Sequence, residues 1–118
     1  MKFKDFQVYK DSKLLITLVF RCTRQFPKEF YYLSDQMNRA CLSIVLNIAE
    51  GSAKKSNKDF SRYIQNSLGS ATELSAAFDV AKEFNLLDKQ KYHEITDLLD
   101  RVTKQLGGFS KFLNLNKN

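Results

Sequence analysis

Four basic residues stand close together near the middle of the chain, in a pattern that suits binding to phosphate. This basic cluster consists of Lys54, Lys55, Lys58 and Arg62, with one acidic residue, Asp59, among them. A predicted helix begins inside the cluster, and the N–H groups at the start of a helix also attract anions. Lys58 and Arg62 are four residues apart and so share one face of that helix. The cluster therefore predicts contacts with the phosphates of RNA or DNA; a solvated surface without a ligand is the alternative.

Residues that could carry catalysis or hold a metal are few and form no catalytic pattern. Glu50 and Glu73 could make a carboxylate pair, but metal sites in helical bundles add histidines in Glu-x-x-His spacing, which is absent. His93, the only histidine, has no partner in its neighbourhood that would make it a general base. Cys22 and Cys41 fall at apolar helix positions, where a thiol acts as a small hydrophobe. We predict a protein that is not an enzyme and that uses no cofactor or metal.

The composition is that of one globular domain with an uneven charge distribution. The chain has 118 residues, 43% of them hydrophobic and 27% charged, so we expect a single domain over residues 1–118. The net charge is +6, and the whole excess lies in residues 1–62, which hold 12 Lys/Arg and 6 Asp/Glu. Such asymmetry favours an acidic partner. With no long apolar run and no leader pattern, we expect a cytoplasmic protein that does not contact a membrane.

Four helical segments follow from the spacing of the apolar residues. They are predicted at about residues 6–25, after Ser34 to about 53, from near Ser56 onward, and after Asp88 to about 115. Pro27 ends the first segment, because proline disfavours a helical residue before it. Ser34, Ser56 and Asp88 each carry a side-chain oxygen that suits the N-cap of a helix.

The last two segments carry regular apolar seams. Their apolar residues alternate at spacings of three and four, which keeps one stripe facing a neighbour with a nearly parallel or antiparallel axis. Short connections between long helices favour antiparallel neighbours. The sequence therefore predicts an all-α fold, an antiparallel up-down-up-down four-helix bundle, with residues 114–118 frayed.

The second predicted helix is apolar around most of its circumference. Eight of the ten residues from Ala40 to Ala49 are apolar, and they form two stripes. One stripe faces the core of the bundle, and the other, Leu42, Val45 and Ala49, needs a further cover. We predict that sister chains supply it in a ring-like homo-oligomer. A monomer with scattered exposed apolar residues is the alternative.

Polar residues of the second and third predicted helices are candidates for structural roles. Asn47 and Glu50 lie on one stripe of the second helix, where hydrogen bonds would fix the register between helices. Gly69 lies in a run of small residues that permits close helix approach. Glu73, in the same run, is expected to pair with Arg39 of the second helix.

Two segments at their mutual spacing resemble a known family. The stretch 39–51, RACLSIVLNIAEG, followed by Phe60 and by 69–74, GSATEL, resembles the four-helix-bundle family of bacterial 23S rRNA intervening-sequence proteins. The resemblance covers most of the chain and implies an antiparallel four-helix bundle, commonly a pentameric barrel, without known enzymatic activity. A more distant resemblance, to the accessory protein of diversity-generating retroelements, implies a nucleic-acid or reverse-transcriptase partner.

Four residues match the family motif, and the resemblance implies that they are architectural: Asn47, Glu50, Gly51 and Glu73. The chain departs from the family pattern in two places. Val45 stands where a proline is common, and residues 52–54 replace a more glycine-rich stretch that ends in arginine. The positive charge is kept at the second place.

Two functions fit these observations. The first is a non-enzymatic, oligomeric scaffold or accessory factor that binds RNA or DNA through the basic cluster. The second is a protein–protein interaction module, for example an accessory of a polymerase or reverse transcriptase, without direct nucleic-acid contact. An enzyme centred on Glu50, Glu73 and His93 would require these side chains to share one concave site.

Overall fold

Four long helices joined by short connections make up the structure, a computed structural model that describes residues 2–116. The helices are α1 (Gln7–Thr23), α2 (Tyr31–Ser52), α3 (Asn57–Glu83) and α4 (Lys89–Leu115). Short 3-10 helices precede α1 and α2, at Phe3–Asp5 and Lys28–Phe30. Residues 2–116 contain no strand, and the all-α prediction is confirmed.

The helices form an antiparallel four-helix bundle, as the seams predict. α1 and α3 each pack against α2 and α4, whereas the diagonal pairs do not pack together in the described part of the chain. The bundle is 48 Å long and 21 Å across. Because the chain runs up and down in turn, the start of α1, the α2–α3 connection and the end of α4 meet at one end of the bundle.

A continuous apolar core runs along the axis of the bundle, with contributions from all four helices. The predicted inner stripe of α2 and the seams of α3 and α4 all lie in it. Its most deeply buried large side chains are Leu15, Met37, Ile44, Ile48, Ile64, Leu74, Phe78, Ile95 and Leu106. The 3.5-residue spacing in the sequence thus marks the buried side of each helix.

Two of the predicted helix starts are confirmed by their caps. The Ser56 hydroxyl accepts a hydrogen bond from the Asp59 N–H at 3.1 Å, at the start of α3. The Asp88 carboxylate accepts one from the Lys91 N–H at 2.7 Å, at the start of α4. Each cap satisfies an N–H group that has no partner inside its helix.

The predicted start of the second helix, after an N-cap at Ser34, is wrong by four residues. α2 begins at Tyr31, and Ser34 lies inside it, where its hydroxyl donates to the Tyr31 carbonyl at 3.1 Å. The 3-10 helix Lys28–Phe30 runs directly into α2, so the chain turns before it reaches Ser34. The presence of a serine, a common N-cap residue, therefore does not locate the start of this helix.

The C-terminal helix is long and continuous. α4 passes through Gly107 and Gly108 and ends at Leu115, so the first part of the predicted frayed segment 114–118 is helical. Residues 117 and 118 lie outside the described part of the chain. Within residues 2–116, no helix combines the length and apolar character needed to cross a membrane.

Candidate nucleic-acid interface

The basic cluster lies on the tight connection between α2 and α3. The Ala53 N–H donates to the Glu50 carbonyl at 3.2 Å, and the Lys54 N–H donates to the Gly51 carbonyl at 3.0 Å. These bonds close the last turn of α2, and the Ser56 cap opens α3 immediately afterwards. The connection is therefore held at both sides, and its lysines project from a defined backbone.

Close approach of the two helices depends on Gly51. A Cβ atom built on Gly51 would lie 2.6 Å from Tyr63 Cβ and 2.9 Å from Phe60 Cδ1. Real Cβ atoms do not come this close to such neighbours, so a larger residue would push α3 away. Gly51 thus sets the position of Tyr63, which carries part of the site.

Two members of the basic cluster share a shallow groove on α3. Lys54 Nζ lies 5.0 Å from the centroid of the Tyr63 ring, a cation–π contact. Arg62 Nη1 lies 3.4 Å from Asp59 Oδ1. These four residues and Asn66 line a groove of about 420 Å³. It offers two cations, an aromatic ring and an amide to a ligand, and its one carboxylate, Asp59, is paired with Arg62.

The other two members are next to the groove residues in sequence but do not line the groove. Lys55 and Lys58 are exposed, and neither forms an ion pair with any residue between 2 and 116. Since Arg62 is partly neutralised by Asp59, these two lysines and Lys54 supply most of the free positive charge. The structure therefore places Lys54 and Arg62 in one groove and leaves Lys55 and Lys58 exposed on the adjoining residues.

Further lysines, distant in sequence, lie at the same end of the bundle. The Phe6 ring packs against Phe60 and Phe109, with centroids 6.5 and 5.4 Å apart, and the Asn57 amide donates to the Asn116 carbonyl at 2.7 Å. These contacts bring the start of the chain and the last turn of α4 beside the start of α3. The exposed lysines of these two segments are Lys2, Lys4 and Lys111.

Sequence reasoning missed these three lysines. They belong to segments more than forty residues from the basic cluster, and no local pattern links them to it. The predicted topology could have located them, because an up-down-up-down bundle places both chain termini at the end that holds the α2–α3 connection. We refer to Lys2, Lys4, Lys111 and the basic cluster together as the basic end.

Comparison with known proteins identifies the family. The model of the 23S rRNA-intervening sequence protein family matches residues 4–108. This chain belongs to that family. The predicted resemblance to 23S rRNA intervening-sequence proteins is thereby confirmed.

A solved structure similar to this 23S rRNA-intervening sequence family member supports the fold. It is a protein of unknown function from the S23 ribosomal protein family of Bacteroides thetaiotaomicron, with a TM-score of 0.83. Sequence identity is 20%, and the similarity covers 88% of this chain and 98% of the other. At this identity the likeness shows the fold alone. No match was found among curated proteins.

The family motif residue Asn47 belongs to a polar ladder between α2 and α3. The Ser43 and Ser70 hydroxyls are 2.8 Å apart, and the Asn47 amide donates to the Ser43 carbonyl at 2.9 Å. The Asn66 amide donates to Asn47 Oδ1 at 3.4 Å, and buried Ser67 donates to a carbonyl of α2 at 2.9 Å. Because these bonds have fixed partners, the ladder holds the two helices in one register.

The expected ion pair between Arg39 and Glu73 does not form. Arg39 Nε pairs instead with Asp35 Oδ2 at 3.0 Å, one helical turn away, and the Glu73 carboxylate accepts a hydrogen bond from the Gln36 amide. The local i, i+4 partner on the same helix is always within reach, so it competes successfully with a partner across the helix pair.

Gly69 and Glu50 differ from the roles expected of them. A Cβ atom on Gly69 would meet nothing within 4 Å, so this glycine is not needed for close packing. The small residues of α3 that contact α2 at this height are Ser67 and Ser70, through their hydroxyl groups. Glu50, also a motif residue, is exposed, and no hydrogen bond from its side chain fixes register in the described part of the chain.

The predicted outer stripe of α2 is only partly at the surface. Leu42 is 49% exposed, Ala49 is half-buried, and Val45 is only 6% exposed because it already packs inside its own chain. Leu46, which the prediction omitted, is 53% exposed and lies one turn from Leu42. The exposed apolar surface of α2 thus centres on Leu42 and Leu46.

The carboxylates and the histidine considered for catalysis do not meet. Glu50 lies in the last turn of α2, near the first turns of α3, whereas Glu73 contacts Gln36 in the first half of α2. His93 lies in the second turn of α4, with its ring against Tyr92. Among residues 2–116, no group of three or more His, Cys, Asp or Glu side chains could hold a metal ion.

Both thiols are held in their protonated form by burial. Burial raises the pKa of Cys41 to about 12. Burial, together with the nearby Asp88 carboxylate, raises the pKa of Cys22 to about 11. Since the thiolate is the reactive form, neither cysteine has the character of a nucleophile.

Proposed function

We propose that this 23S rRNA-intervening sequence family member is a non-enzymatic bundle protein that binds RNA or DNA, working in the cytoplasm as a scaffold or accessory factor. The observation that supports this most is the basic end, where Lys55 and Lys58 are exposed and Lys54 and Arg62 line an adjoining groove. Helix caps and tight turns hold these residues in place, so little backbone order has to be gained on binding.

The proposed contacts are mainly with phosphate. Lysine is a compact charge that approaches phosphate oxygens, and such contacts position a nucleic acid without reading its sequence. We therefore expect binding to both RNA and DNA, with little sequence preference and a strong dependence on salt.

We also propose that the protein assembles with copies of itself, as the pentamer that the family resemblance implies. The exposed pair Leu42 and Leu46 supports this. Contact with another copy of the chain would remove these two apolar side chains from water and so stabilise the assembly. Repeated copies would present several basic ends on one particle, and affinity rises steeply with the number of phosphate contacts.

The assembly is tested by its mass in solution. Light scattering should give a multiple of 13.7 kDa for the wild type, and Leu46→Glu should lower that mass. Leu115→Glu, at the exposed end of α4, is the matched control and should not change it. A wild-type mass of 13.7 kDa at micromolar concentration would contradict the assembly.

The same apolar pair favours a second candidate, a protein-interaction module that holds a partner such as a polymerase. The two functions separate in a pull-down with and without nuclease. A partner retained after nuclease treatment supports the second candidate, whereas a partner bridged by nucleic acid is lost.

Nucleic-acid binding is tested by removing charge from the α2–α3 connection. We would measure anisotropy of a fluorescein-labelled duplex with the wild type and with the triple variant Lys54→Gln, Lys55→Gln, Lys58→Gln. Each phosphate contact contributes a factor of about eight at 0.1 M salt through counterion release, so the triple variant should lose at least about tenfold in affinity.

A second triple variant removes the same charge elsewhere. The control variant is Lys82→Gln, Lys89→Gln, Lys91→Gln. These three lysines are exposed and lie at the end of α3 and the start of α4, at the opposite end of the bundle from the basic end. This control should keep affinity within about threefold, which is the effect of general charge alone. Equal losses in the two triple variants would overturn the proposed site, and the absence of binding by the wild type would overturn the proposed function.

A further inference from the structure

A second surface with ligand-binding character lies at the opposite end of the bundle. There, a cleft of about 580 Å³ opens between the end of α1 and the start of α2, which is within the range of pockets that hold small ligands. Its lining includes three aromatic rings, Phe20, Phe26 and Tyr31, and two cations, Arg24 and Lys28. The one carboxylate in the lining, Asp35, is paired with Arg39 at 3.0 Å, and the other lining residues are uncharged.

The aromatic rings of this cleft are unusually accessible. Phe20 is 54% exposed and Tyr31 is 71% exposed, although both are large enough to be buried readily in a core. The Arg24 guanidinium carbon lies 5.9 Å from the centroid of the Phe20 ring. The planar cation therefore lies over one face of the flat ring, and both side chains are exposed to solvent.

The cleft is also firmly built. The Asn38 amide donates to Thr23 Oγ1 at 2.9 Å and to the Ser34 carbonyl at 2.8 Å. The first bond ties α2 to the last turn of α1, so the two walls of the cleft are held at a fixed separation. The rings are thus presented on a rigid frame.

Positive charge connects the cleft with the basic end. The exposed cations of α1 are Lys10, Lys13 and Arg21, and the C-cap residue Arg24 adds a fourth. The only acidic residue of α1, Asp11, is buried and faces α4, where its carboxylate accepts from the Gln105 amide at 2.9 Å. The outward surface of α1 is therefore basic without compensation from its own helix over about 25 Å of its length.

We propose that this aromatic cleft binds unpaired bases of a single-stranded nucleic acid. The inference rests on the proposed function and extends it, since the basic end would hold phosphates of the same strand. Every base has a flat face that stacks on Phe or Tyr rings and on the Arg plane, without regard to sequence. Bases inside a duplex are already stacked and cannot enter, so the cleft gives a preference for single strands.

The test compares a labelled oligothymidine with a labelled duplex, using the double variant Phe20→Ala, Tyr31→Ala. Loss of base stacking lowers affinity about five- to 150-fold per stacked base, so oligothymidine binding should weaken by at least fivefold. Duplex affinity should stay the same, and so should the salt dependence of oligothymidine binding, because no charge is removed. Tyr31→Phe keeps the ring and should bind as the wild type does.

The matched control is Phe112→Ala, which removes an equally exposed ring from α4 at the other end of the bundle. It should leave oligothymidine affinity unchanged. If the wild type binds nucleic acid and the double variant binds oligothymidine equally well, the inference is overturned and the proposed function stands. If the wild type binds neither probe, both are overturned. A fall in solution mass of the double variant would show that a second copy fills the cleft, which also overturns the inference.

Discussion

Replacement of Gly51 by alanine should destabilise the protein relative to the same replacement at Gly69. Neither glycine has a positive φ, so alanine suits the backbone at both positions. At Gly51 the new methyl group would lie 2.6 Å from Tyr63 Cβ, whereas at Gly69 it would meet nothing within 4 Å. Because Tyr63 Cβ is bonded directly to the backbone, relief of the clash requires α3 itself to move.

The size of the difference follows from two terms. Alanine is favoured over glycine inside a helix by about 0.5–1 kcal/mol, and Gly69→Ala should show this gain. Gly51→Ala has at most the same gain, but crowding in a packed contact costs about 1–3 kcal/mol. The free energies of unfolding should therefore differ by about 1–3 kcal/mol between the variants. For a domain of this size each kcal/mol lowers Tm by about 3–5 °C.

Urea unfolding followed by circular dichroism measures this difference. The wild type and both variants must be compared at equal protein concentration, because assembly stabilises the folded chain by mass action. Equal midpoints for Gly51→Ala and Gly69→Ala would refute the reasoning. They would mean that α2 and α3 do not approach closely at Gly51, and that the groove beside Tyr63 has a different shape.

Two further predictions concern the α3 cap and a buried thiol. Ser56→Ala should lower the free energy of unfolding by about 0.5–2 kcal/mol, because the Asp59 N–H loses its acceptor. The control Ser75→Ala, at an exposed serine inside α3, should leave the free energy of unfolding unchanged. Equal urea midpoints for the two variants would contradict the prediction. Burial raises the pKa of Cys41 from 9.0 to about 12, so the unfolded chain loses this proton first and stability falls as pH rises above 9. Cys41→Ala should therefore show a shallower decline in unfolding free energy between pH 9 and 11, and identical slopes for the two proteins would contradict the burial.

Much of the fold could be predicted from the sequence because its signals are local. The caps at Ser56 and Asp88 act within three residues, and the seams of α3 and α4 repeat along one helix face. The start of α2 was missed for a related reason. A 3-10 helix leads directly into α2, so Ser34 lies inside the helix. No side-chain pattern in the sequence predicts this 3-10 helix.

On α2, the spacing of apolar residues does not fully predict which residues are buried. When nearly every residue is apolar, the pattern does not say which side faces the core. Val45 was assigned to the outer stripe and is buried, whereas Leu46 was omitted and is exposed. One residue corresponds to 100° of rotation, so a small error in phase exchanges an inner position for an outer one.

The candidate site was predictable in part. The basic cluster falls within nine residues of sequence, so it can be recognised without knowledge of the fold. The cation–π contact of Lys54 with Tyr63, and the approach of the chain start to α3 through Phe6 and Phe60, are tertiary contacts. The aromatic cleft likewise joins the end of one helix to the start of the next, and the exposure of its rings is visible only in the folded chain.

The most direct test of the central claim, that the basic end binds nucleic-acid phosphates, is the salt dependence of duplex binding. With four phosphate contacts per chain, the logarithm of the association constant should fall linearly with the logarithm of the salt concentration. The slope should be about −3 or steeper. In the variant Lys54→Gln, Lys55→Gln, Lys58→Gln the slope should become shallower by about two to three. A wild-type slope near zero, or the same slope in both proteins, would contradict the claim.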